Sequence, residues 1–300
     1  MDSLIIGEEL NIAVNHEDAK ALIGYQCNDC KCGFLSLNEN LEKCVYCDST
    51  NIVQATFNLD NCKMIPFSKK LDDAWKEYKK HTIFNPLIPV KFKSKKIMNS
   101  IKKVYFLAYK IDASLTGNVS FTSNDHEKVK KNETRQEYEV LFDINFDYTN
   151  ALINASKKIT SKEFIKVFPT DFSSMCDLLL TFINEEAIIV SDYTNEEFSN
   201  IVKEKISKNS FNIVHKNINH KKSTIKDDLT NLKVEYFQPI LIPIYFLNLK
   251  YRNKEYHYLY NGVNEKVYYK FPIGIVETII FGILIFGLTL LIGYLIAKAL

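Results

Sequence analysis

The chain has 300 residues, 46% hydrophobic and 25% charged, with a formal net charge of +2. That balance excludes a disordered chain and gives no global electrostatic argument for a nucleic-acid partner. The length suits two domains, and the heavy use of Lys, Asn and Ile, as in AT-rich genomes, lowers the meaning of any single lysine run.

Residues 1–24 read as a short lead-in with a weak helical piece around His16–Ile23. The opening MDSLIIGEEL is acidic and its apolar run is too short for a signal peptide. Residues 25–59 hold five of the seven cysteines. Four of them form two Cys-x-x-Cys pairs, Cys27/Cys30 and Cys44/Cys47, thirteen residues apart. This spacing brings four thiolates onto one ion, and Zn²⁺ takes such a tetrahedral shell of soft ligands. The segment is too short to bury a core, so the metal replaces one. The expected ligands are Cys27, Cys30, Cys44 and Cys47. Cys32 can substitute if the first knuckle shifts register. Four thiolates close the shell, which is the mark of a structural site. Clustered Cys-x-x-Cys pairs also point to a reducing compartment, where the lone Cys62 and Cys176 stay as reduced thiols.

Residues 63–272 read as a mainly antiparallel α+β domain. A helix is expected over Lys69–Lys80, with Leu71, Ala74, Trp75 and Tyr78 on its buried face and Ser68 as cap. Strands are expected at Val104–Ile111, Val119–Thr122 and Tyr138–Asp147, the last alternating cleanly. A polar excursion, Ser123–Arg135, separates the last two. Asp171–Asn184 reads as a helix. A second begins at the capping box Thr194-Asn195-Glu196-Glu197, with Phe198, Ile201, Val202 and Ile206 as its stripe. Asn209–Asp228 reads as a loop. Four strands close the domain: Leu232–Phe237, Leu241–Tyr251, Lys254–Tyr260 and Lys266–Phe271. Turns fall at Asn253 and Asn261-Gly262. Val104–Lys110 (VYFLAYK) is echoed by Ile244–Lys250 (IYFLNLK), which a duplicated helix–strand–strand unit or chance would explain.

Residues 275–298 form a transmembrane helix by composition, with Thr278–Ala297 uncharged. Twenty residues match a hydrocarbon core about 30 Å thick. Arg252, Lys254, Lys266 and Lys270 lie on its N-terminal side, so the bulk of the chain is expected in the cytoplasm of a single-pass, tail-anchored cell-membrane protein. Tyr268 and Tyr269 suit the headgroup region. Thr289, Gly293 and Ala297, with Gly282 in line, present small residues at a spacing that lets two helices meet as a homodimer. Glycine merely tolerated in lipid is the favoured reading.

No catalytic set is visible. There is no phosphate-cradling glycine loop, no His-Glu-x-x-His and no nucleophile elbow. The histidines are scattered: His257 lies between two tyrosines on a strand, and His215 and His220 fall in a Lys-rich stretch. The basic runs Lys91–Lys103 and His215–Lys222 read first as solvated surface, then as attraction to an anionic leaflet, and last as nucleic-acid binding.

The ordered motifs resemble the transcription-factor-B-type zinc-ribbon-containing proteins of Gram-positive bacteria. They are Tyr25-Gln26-Cys27-Asn28-Asp29-Cys30, Cys44-Val45-Tyr46-Cys47, Ile65-Pro66-Phe67, Val104–Leu107, Leu241–Tyr251 and Lys254–Gly262, followed by the hydrophobic segment. The resemblance covers most of Tyr25–Leu300. It implies a glycine after each knuckle, where this chain has Lys31 and Asp48, and so leaves the first knuckle's register open between Cys30 and Cys32. The expected role is binding or scaffolding for a protein partner at the inner membrane face. A membrane-tethered nucleic-acid-binding or regulatory protein is the alternative, and an unrecognised hydrolase or redox enzyme comes third.

Overall fold

The computed structural model describes residues 22–39, 41–57, 59, 61–124, 137–168, 171–183, 186–217 and 223–299. The lead-in therefore lies almost wholly outside the described residues, as do most of the excursion after Asn124 and His220. Of the expected helical piece, Ile23 belongs instead to a strand.

The fold is α+β around one mainly antiparallel sheet. Three short strands, β1 (Ile23–Cys27), β2 (Gly33–Ser36) and β3 (Ile52–Gln54), come first. β4 (Lys63–Met64) precedes α1 (Leu71–Thr82). Two long strands follow as a hairpin, β5 (Lys102–Asn124) and β6 (Glu137–Asn154). After them come α2 (Ser161–Val167), β7 (Cys176–Asp177), β8 (Ala187–Ile189) and α3 (Asn195–Asn217). β9 (Ser223–Tyr251), β10 (Lys254–Asn261), β11 (Val267–Tyr269) and α4 (Ile275–Ala299) complete the chain. The sheet runs β11-β10-β9-β5-β8-β2-β1-β3. The ribbon strands are thus the far end of the main sheet, joined through Phe34↔Ile189 and Leu35↔Ile188. β3 and β4, on either side of residues 55–62, are strands of that same sheet.

The middle of the sheet is buried on both faces. Val104, Phe106 and Ala108 pack on one side with Phe34, Ile189 and Phe246; Tyr105 and Leu107 pack on the other with Leu35 and Ile188. Two-sided burial explains why the start of β5 reads as a continuous apolar run. The far half of β5 leaves this core. With β6 and the first half of β9 it forms a three-stranded arm, covered by α3 through Phe198, Val202, Ile206, Phe211 and Val214.

Several expectations are corrected. Asp171–Asn184 is not a helix. The Asp171 carboxylate accepts from the Ser173 N–H and hydroxyl, Cys176 pairs with Met64 across β4 and β7, and only a 3₁₀ turn forms at Leu180–Phe182. Asn209–Asp228 is not a loop. α3 continues to Asn217 because Phe211 and Val214 extend its stripe, and β9 begins at Ser223. The strands at Val104–Ile111 and Val119–Thr122 are one, β5. Likewise Leu232–Phe237 and Leu241–Tyr251 are one strand despite Pro239 and Pro243. The Pro243 carbonyl accepts from Gly262 N–H (2.9 Å), so that residue's polar edge faces away from β5, where β5 needs no donor. Ser68 does not cap α1. Lys70 holds that position, its N–H donating to Asp73 (3.1 Å), while the Ser68 hydroxyl donates to the Gly262 carbonyl (3.3 Å).

Both predicted turns form. Arg252 and Asn253 have φ of 51° and 59°, the two left-handed residues of a type I′ hairpin turn. At the second turn the buried Asn261 side chain accepts from Val263 N–H (2.8 Å) and Asn264 N–H (3.1 Å). Gly262 is required there by contact: a Cβ would run into the Phe67 ring.

Two runs of elements share one order, β4–α1–β5–β6 and β8–α3–β9–β10. β8 lies parallel beside β5 and β4 lies parallel beside β9, so each run's first strand pairs with the other run's second. Val104 and Ile244, which open the two echoed segments, are directly paired.

Candidate metal centre

Each knuckle is a tight turn set by the same two backbone bonds. Cys27 N–H donates to the Cys32 carbonyl (3.0 Å), and the Cys27 carbonyl accepts from Lys31 N–H (2.9 Å). Cys44 N–H donates to the Ser49 carbonyl (2.8 Å), and the Cys44 carbonyl accepts from Asp48 N–H (3.1 Å). The equivalence of the two turns matches Cys30 to Cys47 and leaves Cys32 two residues further on, at the position of Ser49. Lys31 and Asp48 close the turns with φ of 59° and 63°. These are the two places where the family resemblance implies glycine, and non-glycine residues adopt the same left-handed geometry at a cost of about 1–2 kcal/mol each. Lys31 is exposed, so Lys31→Gly should raise stability by about 1 kcal/mol, read as a higher thermal midpoint. An unchanged or lower midpoint would contradict this account of the turn.

The sulfurs of Cys27, Cys30, Cys44 and Cys47 all lie within 4.8 Å of one another. Cys27–Cys47 and Cys30–Cys44 are each 3.7 Å apart. A tetrahedron with metal–sulfur bonds of about 2.3 Å has edges of about 3.8 Å, so the quartet fits a metal ion. Cys32 is fully buried against Cys30 and Cys44, and its thiol donates to the Gly33 carbonyl (3.6 Å). Hydrogen bonds from Cys30 and Cys32 push the Cys44 thiol well below its ordinary range, and Tyr46 N–H donates to the same sulfur (3.4 Å). Cys62 and Cys176 stand apart, bonded to the Lys63 and Met64 carbonyls, and burial pushes the Cys62 thiol up.

Three lysines from outside the ribbon donate to knuckle carbonyls. Lys102 on β5 reaches Val45 (2.7 Å) and also the Asp48 carboxylate (2.6 Å). Lys250 on β9 reaches Cys47 (3.2 Å), and Lys158 reaches Cys30. Four thiolates around a divalent ion would carry a net double negative charge, and these cations would face it.

A second feature escaped the sequence. Tyr46, inside the second knuckle, stacks on Phe246 at 5.3 Å, and its hydroxyl meets His257 Nε2 (3.0 Å) and the Glu255 carboxylate (3.4 Å). His257 Nδ1 meets the buried Glu163 carboxylate (2.8 Å). Burial works against ionisation of Glu163, but hydrogen bonds from His257 and Thr160 outweigh it and hold the carboxyl below its ordinary value. Glu163 also closes the capping box of α2, accepting from Thr160 N–H (2.6 Å) while its own N–H donates to the Thr160 hydroxyl (3.3 Å). The pattern Thr160-x-x-Glu163 was a legible helix start. Its link to His257 was not, because 94 residues separate the partners.

A cavity of about 690 Å³ opens beside α3 and β6, lined by Tyr148, Lys157, Phe164, Ile201, Lys205 and Lys208 among others. Burial pushes the Lys205 amine below its usual range, and it sits 5.6 Å over the Phe164 ring.

α4 is long and apolar enough to cross a membrane, and none of its span is buried. Thr289, Gly293 and Ala297 lie on it. The Thr289 hydroxyl donates to the Phe286 carbonyl within the helix (2.7 Å), and Gly282 and Gly293 face open space.

No family model and no solved structure matches the chain. It is 24% identical over 231 residues to YdjG, an uncharacterized protein of Bacillus subtilis. The match takes in 72% of this chain and 65% of that protein, so the chain spans less than two thirds of the relative's length.

Proposed function

We propose that this is a membrane-anchored binding or scaffolding protein whose four-cysteine centre holds a structural Zn²⁺ and whose bulk faces the cytoplasm. The observation that carries the reading is the closed quartet: four protein thiols at tetrahedral spacing fill the shell of one ion, in the manner of structural zinc sites. The anchor reading rests on the exposed, apolar α4, and the orientation on Arg252, Lys254, Lys266 and Lys270 before it. Two copies could meet through Thr289, Gly293 and Ala297. Nucleic-acid binding is less well supported. Of the basic run, Lys93, Lys102 and Lys103 are committed to the Asn85 carbonyl, the second knuckle and Glu186.

Metal analysis of the detergent-solubilised full chain should find one zinc per chain. Metal-free protein with four accessible thiols and an intact fold would overturn the metal reading. For the binding role, cross-linking in intact membranes should join the cytoplasmic domain to a recurrent protein partner, and cross-links confined to random neighbours would count against it.

A further inference from the structure

The anchor does not leave the domain through a free linker. Gly274 N–H donates to the Leu87 carbonyl (2.8 Å), and the Glu277 carboxylate accepts from Val90 N–H (3.2 Å). The loop over residues 83–90 is thus strapped to the first turn of α4. Its apolar side chains are not all used in packing: Phe84 is 88% exposed and Val90 71%, and Ile273 just before the helix is 64% exposed. Phe84 lies no more than about 11 Å of chain from Leu87. Lys91 and Lys270, both exposed, follow and precede these residues.

If the uncharged Thr278–Ala297 fills the hydrocarbon core, Gly274 and Glu277 lie within about 6 Å of its edge. Groups bonded to them sit where acyl chains give way to headgroups. Three large apolar side chains exposed at that depth, flanked by lysines, match what a bilayer interface accepts: apolar bodies among the upper acyl chains and cations among anionic headgroups. We infer that Phe84, Val90 and Ile273 form a collar that seats the domain on an anionic lipid surface around the foot of α4, which fixes the domain's tilt. The inference rests on the reading of α4 as a membrane span.

The test uses the full chain in a Trp75→Phe background, reconstituted into phosphatidylcholine–phosphatidylglycerol vesicles with bromine on the upper acyl chains. Single tryptophans replace Phe84, Leu284 in mid-anchor, or Leu229. Leu229 is 74% exposed but lies roughly 70 Å along β9 from Tyr251, which is next to the collar through Lys91. Circular dichroism confirms that each variant is folded. The expected result is that Phe84→Trp and Leu284→Trp lose emission to the bromines and Leu229→Trp does not. If Leu284→Trp is quenched and Phe84→Trp is no more quenched than Leu229→Trp, the collar is wrong. If Leu284→Trp itself escapes quenching, the membrane span beneath the inference is wrong.

Discussion

If the four-cysteine centre holds zinc as proposed, stripping it from the full chain with a chelator should unfold β8 and the centre of β5 together with the ribbon. β2 pairs with β8, and β8 pairs with β5 through Val104, Tyr105 and Phe106. Cys27, Cys32 and Cys44 share one buried cluster with Phe106, Ile189, Ile242 and Phe246. Structural zinc in small modules contributes roughly 10–16 kcal/mol, and whole domains are stable by only about 5–15 kcal/mol. The lost term is as large as the total, so the sheet cannot outlast it. Hydrogen exchange read at Phe34, Ile189 and Val104–Phe106 is the measurement. Protection should fall at all of them in one step, and Cys44→Ser/Cys47→Ser should behave alike. Full protection in β5 and β8 while β1–β3 exchange freely would show the ribbon to be an independent module.

His257→Ala should destabilise the protein by about 2 kcal/mol, because it removes one hydrogen-bond partner from a buried carboxylate and one from a buried phenol. Glu163 and His257 are 6% and 12% exposed, so water cannot readily replace the lost partner. Tyr46→Phe should cost about 1–2 kcal/mol, and the double variant less than the sum, since both changes cut one chain of hydrogen bonds. Strict additivity in denaturant titrations would mean that the three groups do not act together. The pH dependence follows in sign. Glu163 is held below its ordinary value in the folded state, so its contribution is complete above the unfolded carboxyl pKa, about 4.3, and is lost as pH falls through the lower folded value. Glu163→Gln should flatten that acid limb.

Local chemistry was legible and distant pairing was not. The Cys-x-x-Cys spacing named the quartet, and the alternation of Phe142, Ile144 and Phe146 named β6. Thr194-x-x-Glu197 named the start of α3, and both turns before and after β10 were readable from Asn. What failed depended on partners far along the chain. Asp171–Asn184 carries enough leucine to pass for a helix, yet Cys176 and Asp177 within it pair with β4. Prolines 239 and 243 read as a break because only the neighbouring strands show that their missing donors fall where none is needed. Lys102 read as surface charge, and nothing in the order of residues places Lys102, Lys158 and Lys250 over the knuckle carbonyls. The Glu163–His257–Tyr46 chain joins three elements that never approach in sequence.

The length of β9 has a consequence for reach. It is a single strand of 29 residues, roughly 95 Å along its contour, and its C-terminal end lies beside the loop strapped to the anchor. A flexible tether of that many residues would average only about 30 Å between its ends. If α4 spans a membrane as proposed, spending the same residues on a paired, helix-backed strand sets the distance of the arm's tip from the foot of that helix. A partner met at that tip would be found at one height above the lipid, as by a gauge, whatever its own attachment to the surface.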